Sequence, residues 1–182
     1  MKTVLALFLF GFFCFKSFSQ SKNNVSFSYG AISTAPIGNS LGGAGYTYQG
    51  SGIFGFAYIR SLNNWLGLEV GLAYNKNQVQ SQSAPGLYNT PIIENGASDL
   101  VSIPVNLRFT FLRYLFVNTG IMADFQTNRE NSIRSDLSGL GFELGIGVKY
   151  SFKQVSVTAN PVIQAHSHFA ESGVRFGVGY DF

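Results

Sequence analysis

The chain is short of charge. Only 12% of its 182 residues are Asp, Glu, Lys or Arg, about half the roughly 25% usual in soluble domains. So few charges cannot cover a water-facing surface, which counts against an ordinary soluble globule. Cysteine is almost absent too: the one present, Cys14, sits in an amino-terminal apolar segment behind Phe12 and Phe13, where small residues would precede a lipidated cysteine. Disulfide frameworks and cysteine-held metals are therefore excluded. There is no Lys/Arg run for nucleic acid. No apolar run reaches the roughly 20 residues that a membrane-spanning helix needs.

The apolar segment itself reads as a leader. Met1-Lys2-Thr3 is a basic start, Val4 to Phe15 is nearly unbroken apolar sequence, and Ser17-Phe18-Ser19 supplies small residues for a signal peptidase. Cleavage is expected after Ser19, leaving residues 20–182 as one domain; a retained anchor is the alternative. Loss of Lys2 and Lys16 takes twelve basic residues to ten against nine acidic ones, so the formal net charge of +3 falls to +1.

What remains is aromatic (15%), rich in glycine (21 residues) and alternating. In Gly173–Phe182, Val174, Phe176, Val178, Tyr180 and Phe182 share one face of an extended strand; Arg175, Gly177, Gly179 and Asp181 share the other. The same pattern predicts strands at about 25–34, 46–60, 65–80, 99–112, 115–126, 140–150, 155–165 and 173–182. Loops are expected at 36–45, Ser81–Ser98, Thr127–Ser138 and His166–Ser172, with tight turns between the other pairs. Pro104 predicts a bulge or a lost bond in the fourth strand, and Pro161 weakens the seventh.

Eight strands with long and short connections in alternation predict an all-β, eight-stranded antiparallel up-and-down transmembrane barrel. An even count puts both termini at one end, expected to be periplasmic. The non-apolar face is Gly, Ala, Ser and Asn with a few charges, too poor in Lys and Glu to face water but suited to a narrow lumen. The apolar face is therefore expected to meet outer-membrane lipid. Tyr46, Tyr48, Tyr58, Trp65, Tyr74, Tyr114 and Tyr150 fall near strand ends, where aromatic girdles sit. A soluble periplasmic barrel with an apolar ligand inside is the competing architecture.

The leader with Gln20 behind it, the strand Asp99-Leu-Val-Ser-Ile-Pro-Val-Asn-Leu-Arg-Phe109 and the terminal aromatic resemble the small outer-membrane β-barrel proteins of Bacteroidota, the PorT-like or OmpX-like group. The resemblance implies an outer-membrane location. It also implies that Phe176, Tyr180 and Phe182 form the signal read by the barrel-assembly machinery. PorT-like membership would further imply an accessory role in a secretion or envelope machine.

Glu69, Arg108, Asp124, Glu143 and Arg175 all project inward by the same alternation. Isolated interior charges are costly, so an interior salt-bridge network is expected, with Glu143 and Arg175 at one height and Glu69 and Arg108 lower. Such a network would plug the lumen; a charged ion path is the alternative. His166 and His168 could share a metal only with Glu171, and Ser167 lacks the elbow and oxyanion motif of a lipid hydrolase. Both histidines are expected at the outer rim, with no metal, no cofactor and no enzymatic activity. Gly42-Gly43-Ala44-Gly45 precedes a strand, so it offers no helix N-terminus to a phosphate. The expected protein is a monomer whose loops Ser81–Ser98 and Thr127–Ser138 meet a protein or surface partner.

Overall fold

The computed structural model describes residues 23–36, 45–82, 93–111, 114–127, 138–166 and 169–182. The expected leader and its cleavage site lie outside the described residues. Eight strands run in order: β1 (Asn23–Pro36), β2 (Gly45–Ser61), β3 (Leu66–Gln82), β4 (Ile93–Phe111), β5 (Leu115–Gln126), β6 (Gly139–Phe152), β7 (Val155–Ala165) and β8 (Phe169–Asp181). Each pairs antiparallel with its neighbour, and β8 pairs back onto β1 from Asn24↔Asp181 to Pro36↔Phe169, closing the sheet. Asn23 and Phe182 exchange two backbone hydrogen bonds of 2.9 and 2.8 Å, so the seam is sealed to its last residue.

Period-two alternation explains what each face carries. Phe27 (57% exposed), Ile121 (63%), Leu140 (72%) and Phe176 (62%) point outward, as do their apolar neighbours two residues away along each strand. Glu143, Asn118 and Phe116 point into a lumen with essentially no exposure. A water-soluble carrier would be turned the other way, with its large apolar groups around the ligand. An exposed apolar surface running round a whole molecule is untenable in water and costless in hydrocarbon.

Three boundaries differ from expectation. Strands β3 and β4 run to Gln82 and from Ile93, so the expected loop Ser81–Ser98 shrinks to 83–92, outside the described residues. Likewise β8 starts at Phe169 rather than Gly173, because residues 169–172 pair with β1 and residues 170–172 also pair with β7. These stretches read as loops because they are polar, but a strand facing a polar lumen can carry polar residues. The loop Thr127–Ser138 keeps its position, with 128–137 outside the described residues.

Proline acts as its missing N–H requires. The β3–β4 ladder breaks between Val70↔Val105 and Ala73↔Ser102 and resumes in the same register, so Pro104 costs rungs without making a bulge. The β6–β7 ladder breaks beside Pro161 between Gly145↔Val162 and Val148↔Ala159. The register shift lies elsewhere, between Gln49 and Gly52 of β2. The side chains of Tyr46 and Tyr48 lie outside the described residues. The turn before β3 is held by Asn63, whose Oδ1 accepts from the backbone N–H of Trp65 (3.0 Å) and Leu66 (2.7 Å).

Candidate functional site

The lumen is filled in tiers. At mid-height, Glu143 on β6 is fully buried and is the acceptor for four strands. Its Oε1 accepts from Asn106 Nδ2 of β4 (2.9 Å), Asn118 Nδ2 of β5 (2.8 Å) and Arg175 Nη2 of β8 (2.5 Å); its Oε2 accepts from Gln164 Nε2 of β7 (2.7 Å). A carboxylate with so many donors is satisfied without water, which is the condition for burying a charge. Glycine makes the room: a Cβ on Gly30 would lie 2.9 Å from Arg175 Cγ, and one on Gly145 would lie 2.8 Å from Asn160 Oδ1.

Towards the termini, Glu69 on β3 and Arg108 on β4 form a second pair, with Oε2 and Nη2 2.7 Å apart. The Arg108 guanidinium lies 4.2 Å from the centre of the Phe116 ring, a cation–π contact. Phe116 occupies the space a Cβ on Gly147 would need. At the termini end itself, Asp181 Oδ1 accepts from Lys149 Nζ (2.9 Å) and Asn24 Nδ2 (2.8 Å).

Towards the long loops, a third cluster joins Asp124 of β5, His166 just past β7 and Glu171 of β8. His166 Nδ1 lies 2.7 Å from Asp124 Oδ2, and its Nε2 lies 3.4 Å from Glu171 Oε2. Ser102 Oγ donates to Asp124 Oδ1 (2.5 Å), while Asn75 Nδ2 and Thr34 Oγ1 donate to Glu171 (2.8 and 3.1 Å to Oε1). Burial alone would push the His166 imidazole down, but the hydrogen bond to Asp124 and the charges of Asp124 and Glu171 override it and raise its pKa to about 9. The ring stacks on Phe169, centres 4.2 Å apart, and Phe169 packs on Leu100, both buried.

No family model matches this chain, and no curated protein matches it in sequence. Solved structures do match in shape. The outer membrane protein OprG from Pseudomonas aeruginosa is similar at a TM-score of 0.62 and 10% identity, over 89% of this chain and 96% of that one. Neisserial surface protein A is similar at 0.57 and 14%, over 90% of this chain and all of that one. Ail, the attachment invasion locus protein of Yersinia pestis, solved with the heparin analogue sucrose octasulfate, is similar at 0.54 and 14%, with the same coverage. These likenesses establish the closed eight-stranded barrel fold; at such identities they carry no more.

The five inward charges therefore divide. Glu143 meets Arg175, Glu69 meets Arg108, and Asp124 joins neither pair but holds His166. His166 is the correction: expected at the outer rim, it is buried in the lumen, because β8 begins at Phe169 and pairs with β7 up to Ala165↔Ala170, beside His166. Sequence reading also missed Ile32, Ile53, Leu100, Phe116 and Phe169, which fill the lumen with apolar bulk. The signal for Phe116 was available in its position between the outward Leu115 and Val117. His168 and Ser167 lie outside the described residues. Among the described residues, no three of His, Cys, Asp or Glu are arranged to hold a metal ion. Phe176 and Tyr180 lie on the outer face of β8, and Phe182, one residue past it, is exposed as well, with Tyr180 and Phe182 stacked 6.4 Å apart.

Proposed function

We propose that the chain is a non-enzymatic outer-membrane barrel, closed to ion flow, that presents a surface for partner recognition at its long-loop end. The observation that carries the recognition part is a difference in strand length. Strands β2, β3 and β4 have 17, 17 and 19 residues, against 11 to 14 for the other five. β2 stays paired to β3 out to Gly45↔Gln82, and β3 to β4 out to Gln82↔Ile93. β1 leaves β2 at Ile32↔Ser51, and β5 leaves β4 at Leu100↔Gln126. A three-stranded blade thus continues past its last rung with β1 by six residues on β2, Gly45–Gly50, or roughly 20 Å at 3.3 Å per residue, while Ser33–Pro36 of β1 stay with β8.

Among the described residues, no ladder pairs Gly45–Gly50 with β1 or Ile93–Ser98 with β5. Both blade edges present backbone N–H and C=O groups to an incoming extended segment. The apolar outer wall supports the membrane location, with both termini at the periplasmic end and the blade outside. The stacked ion pairs support a closed lumen, since eight strands leave little width beyond their own side chains.

Two experiments test the two halves. The purified barrel in planar lipid bilayers should give no steady single-channel current; a steady conductance would refute closure. Copurification from detergent-solubilised membranes should recover a partner with the full chain. A barrel whose β2–β4 blade is cut back to the height of Ser51 should lose it, and a partner kept by that shortened barrel would refute recognition through the blade.

A further inference from the structure

The two buried ion pairs sit in different surroundings. Glu143 itself is enclosed by its donors and by packed groups, whereas a cavity of about 40 Å³ lies beside Glu69 and Arg108 and reaches Arg175. It is lined by the hydroxyl-bearing Ser26, Ser28 and Thr158, by Asn160, and by both arginines, Arg108 and Arg175. Ser26, Ser28 and Thr158 face the lumen yet remain half-buried rather than buried, so part of their surface opens onto this space. Next to it, among the described residues, Glu69 Oε2, Arg108 Nε and Asn160 Oδ1 are buried without a hydrogen-bond partner, as are Asn106 Oδ1 and Asn118 Oδ1 in the Glu143 tier, two residues that the cavity does not border. The Glu69–Arg108 contact is close enough for an ion pair but is not aligned as a hydrogen bond.

We propose that this cavity is a buried water site, and that its water completes the Glu69–Arg108 tier of the lumen. A space that admits a water needs roughly 10–15 Å³, so about three molecules fit. Empty cavities in proteins are apolar; one bordered by three hydroxyls and two ion pairs fills. The occupant follows from charge. A cation would sit beside two guanidinium groups, and an anion beside Glu69 with Glu143 behind Arg175. Water alone can donate to Glu69 Oε2 and Asn160 Oδ1 and accept from Arg108 Nε–H. The lumen is thereby divided into a hydrated tier on the termini side and a dry seal at Glu143.

The test uses the full barrel folded in phosphatidylcholine nanodiscs. Magnetisation transfer from water should reach the Arg108 Nε–H proton, and should be lost in Thr158→Leu, which fills the cavity. Absence of transfer in the wild type would overturn the proposal, as would Arg108 or Asn160 resonances that move between salt-free buffer and potassium phosphate, which would mark an ion.

Discussion

Replacing Glu143 by Gln removes one charge and almost no volume, so its cost reports the electrostatics of the seal. In the folded barrel Glu143 accepts from Arg175, Asn106, Asn118 and Gln164. A glutamine keeps one acceptor oxygen and turns an amide NH₂ towards one of those donors. Arg175, itself buried, is then left as a cation without its carboxylate. Breaking a buried pair from one side costs about 3–5 kcal/mol. With a urea slope of about 2 kcal/mol/M, the unfolding midpoint should fall by roughly 2 M. Trp65, the only tryptophan, is exposed at the termini end and stacks on Phe109, so its fluorescence follows unfolding in lipid vesicles. The double variant Glu143→Gln/Arg175→Met should recover much of the loss, since no unpaired cation remains. An unfolding curve for Glu143→Gln that overlays the wild type would refute the reasoning, because it would mean Arg175 has another counter-charge or bulk water.

The His166 cluster predicts a pH dependence of known sign. Its folded pKa is raised from 6.5 to about 9, so its contribution is whole below pH 6.5 and is lost as the pH rises through 9. The loss should reach a few kcal/mol at most; a midpoint that falls between pH 7 and 9.5 in the wild type and stays level in His166→Gln is the expected result, and parallel profiles would refute it. Gly145→Ala should destabilise by about 1–3 kcal/mol, because the added Cβ meets Asn118 Oδ1 and Asn160 Oδ1; urea unfolding checks it, with Ile146→Ala on the outer face as the mild control. Deleting Phe182 removes both backbone bonds to Asn23 and half of a stacked aromatic pair. The amount reaching the outer membrane should fall further than the loss of stability accounts for, and normal levels would remove the assembly-signal role.

Alternation with period two was enough to determine that this is a closed eight-stranded barrel with its apolar side outward. The reason is that a strand's facing is a local property: Phe142 and Glu143 must point opposite ways whatever pairs beside them. Low charge and abundant glycine then decided which face could be the narrow inside. Partnership in the lumen is a different matter, because it depends on how far each strand slides past the next around the closed wall. That stagger, visible only in three dimensions, brings Asp124 to His166 and Glu143 within reach of Asn106, Asn118, Gln164 and Arg175. Strand ends were hidden for a related reason. Polarity marks a loop only where the alternative is an apolar core, and in β8 the polar Glu171 sits inside a lumen that accepts it. The blade of β2–β4 likewise arises from which neighbours stop pairing first, a property of the assembled sheet and of no single strand.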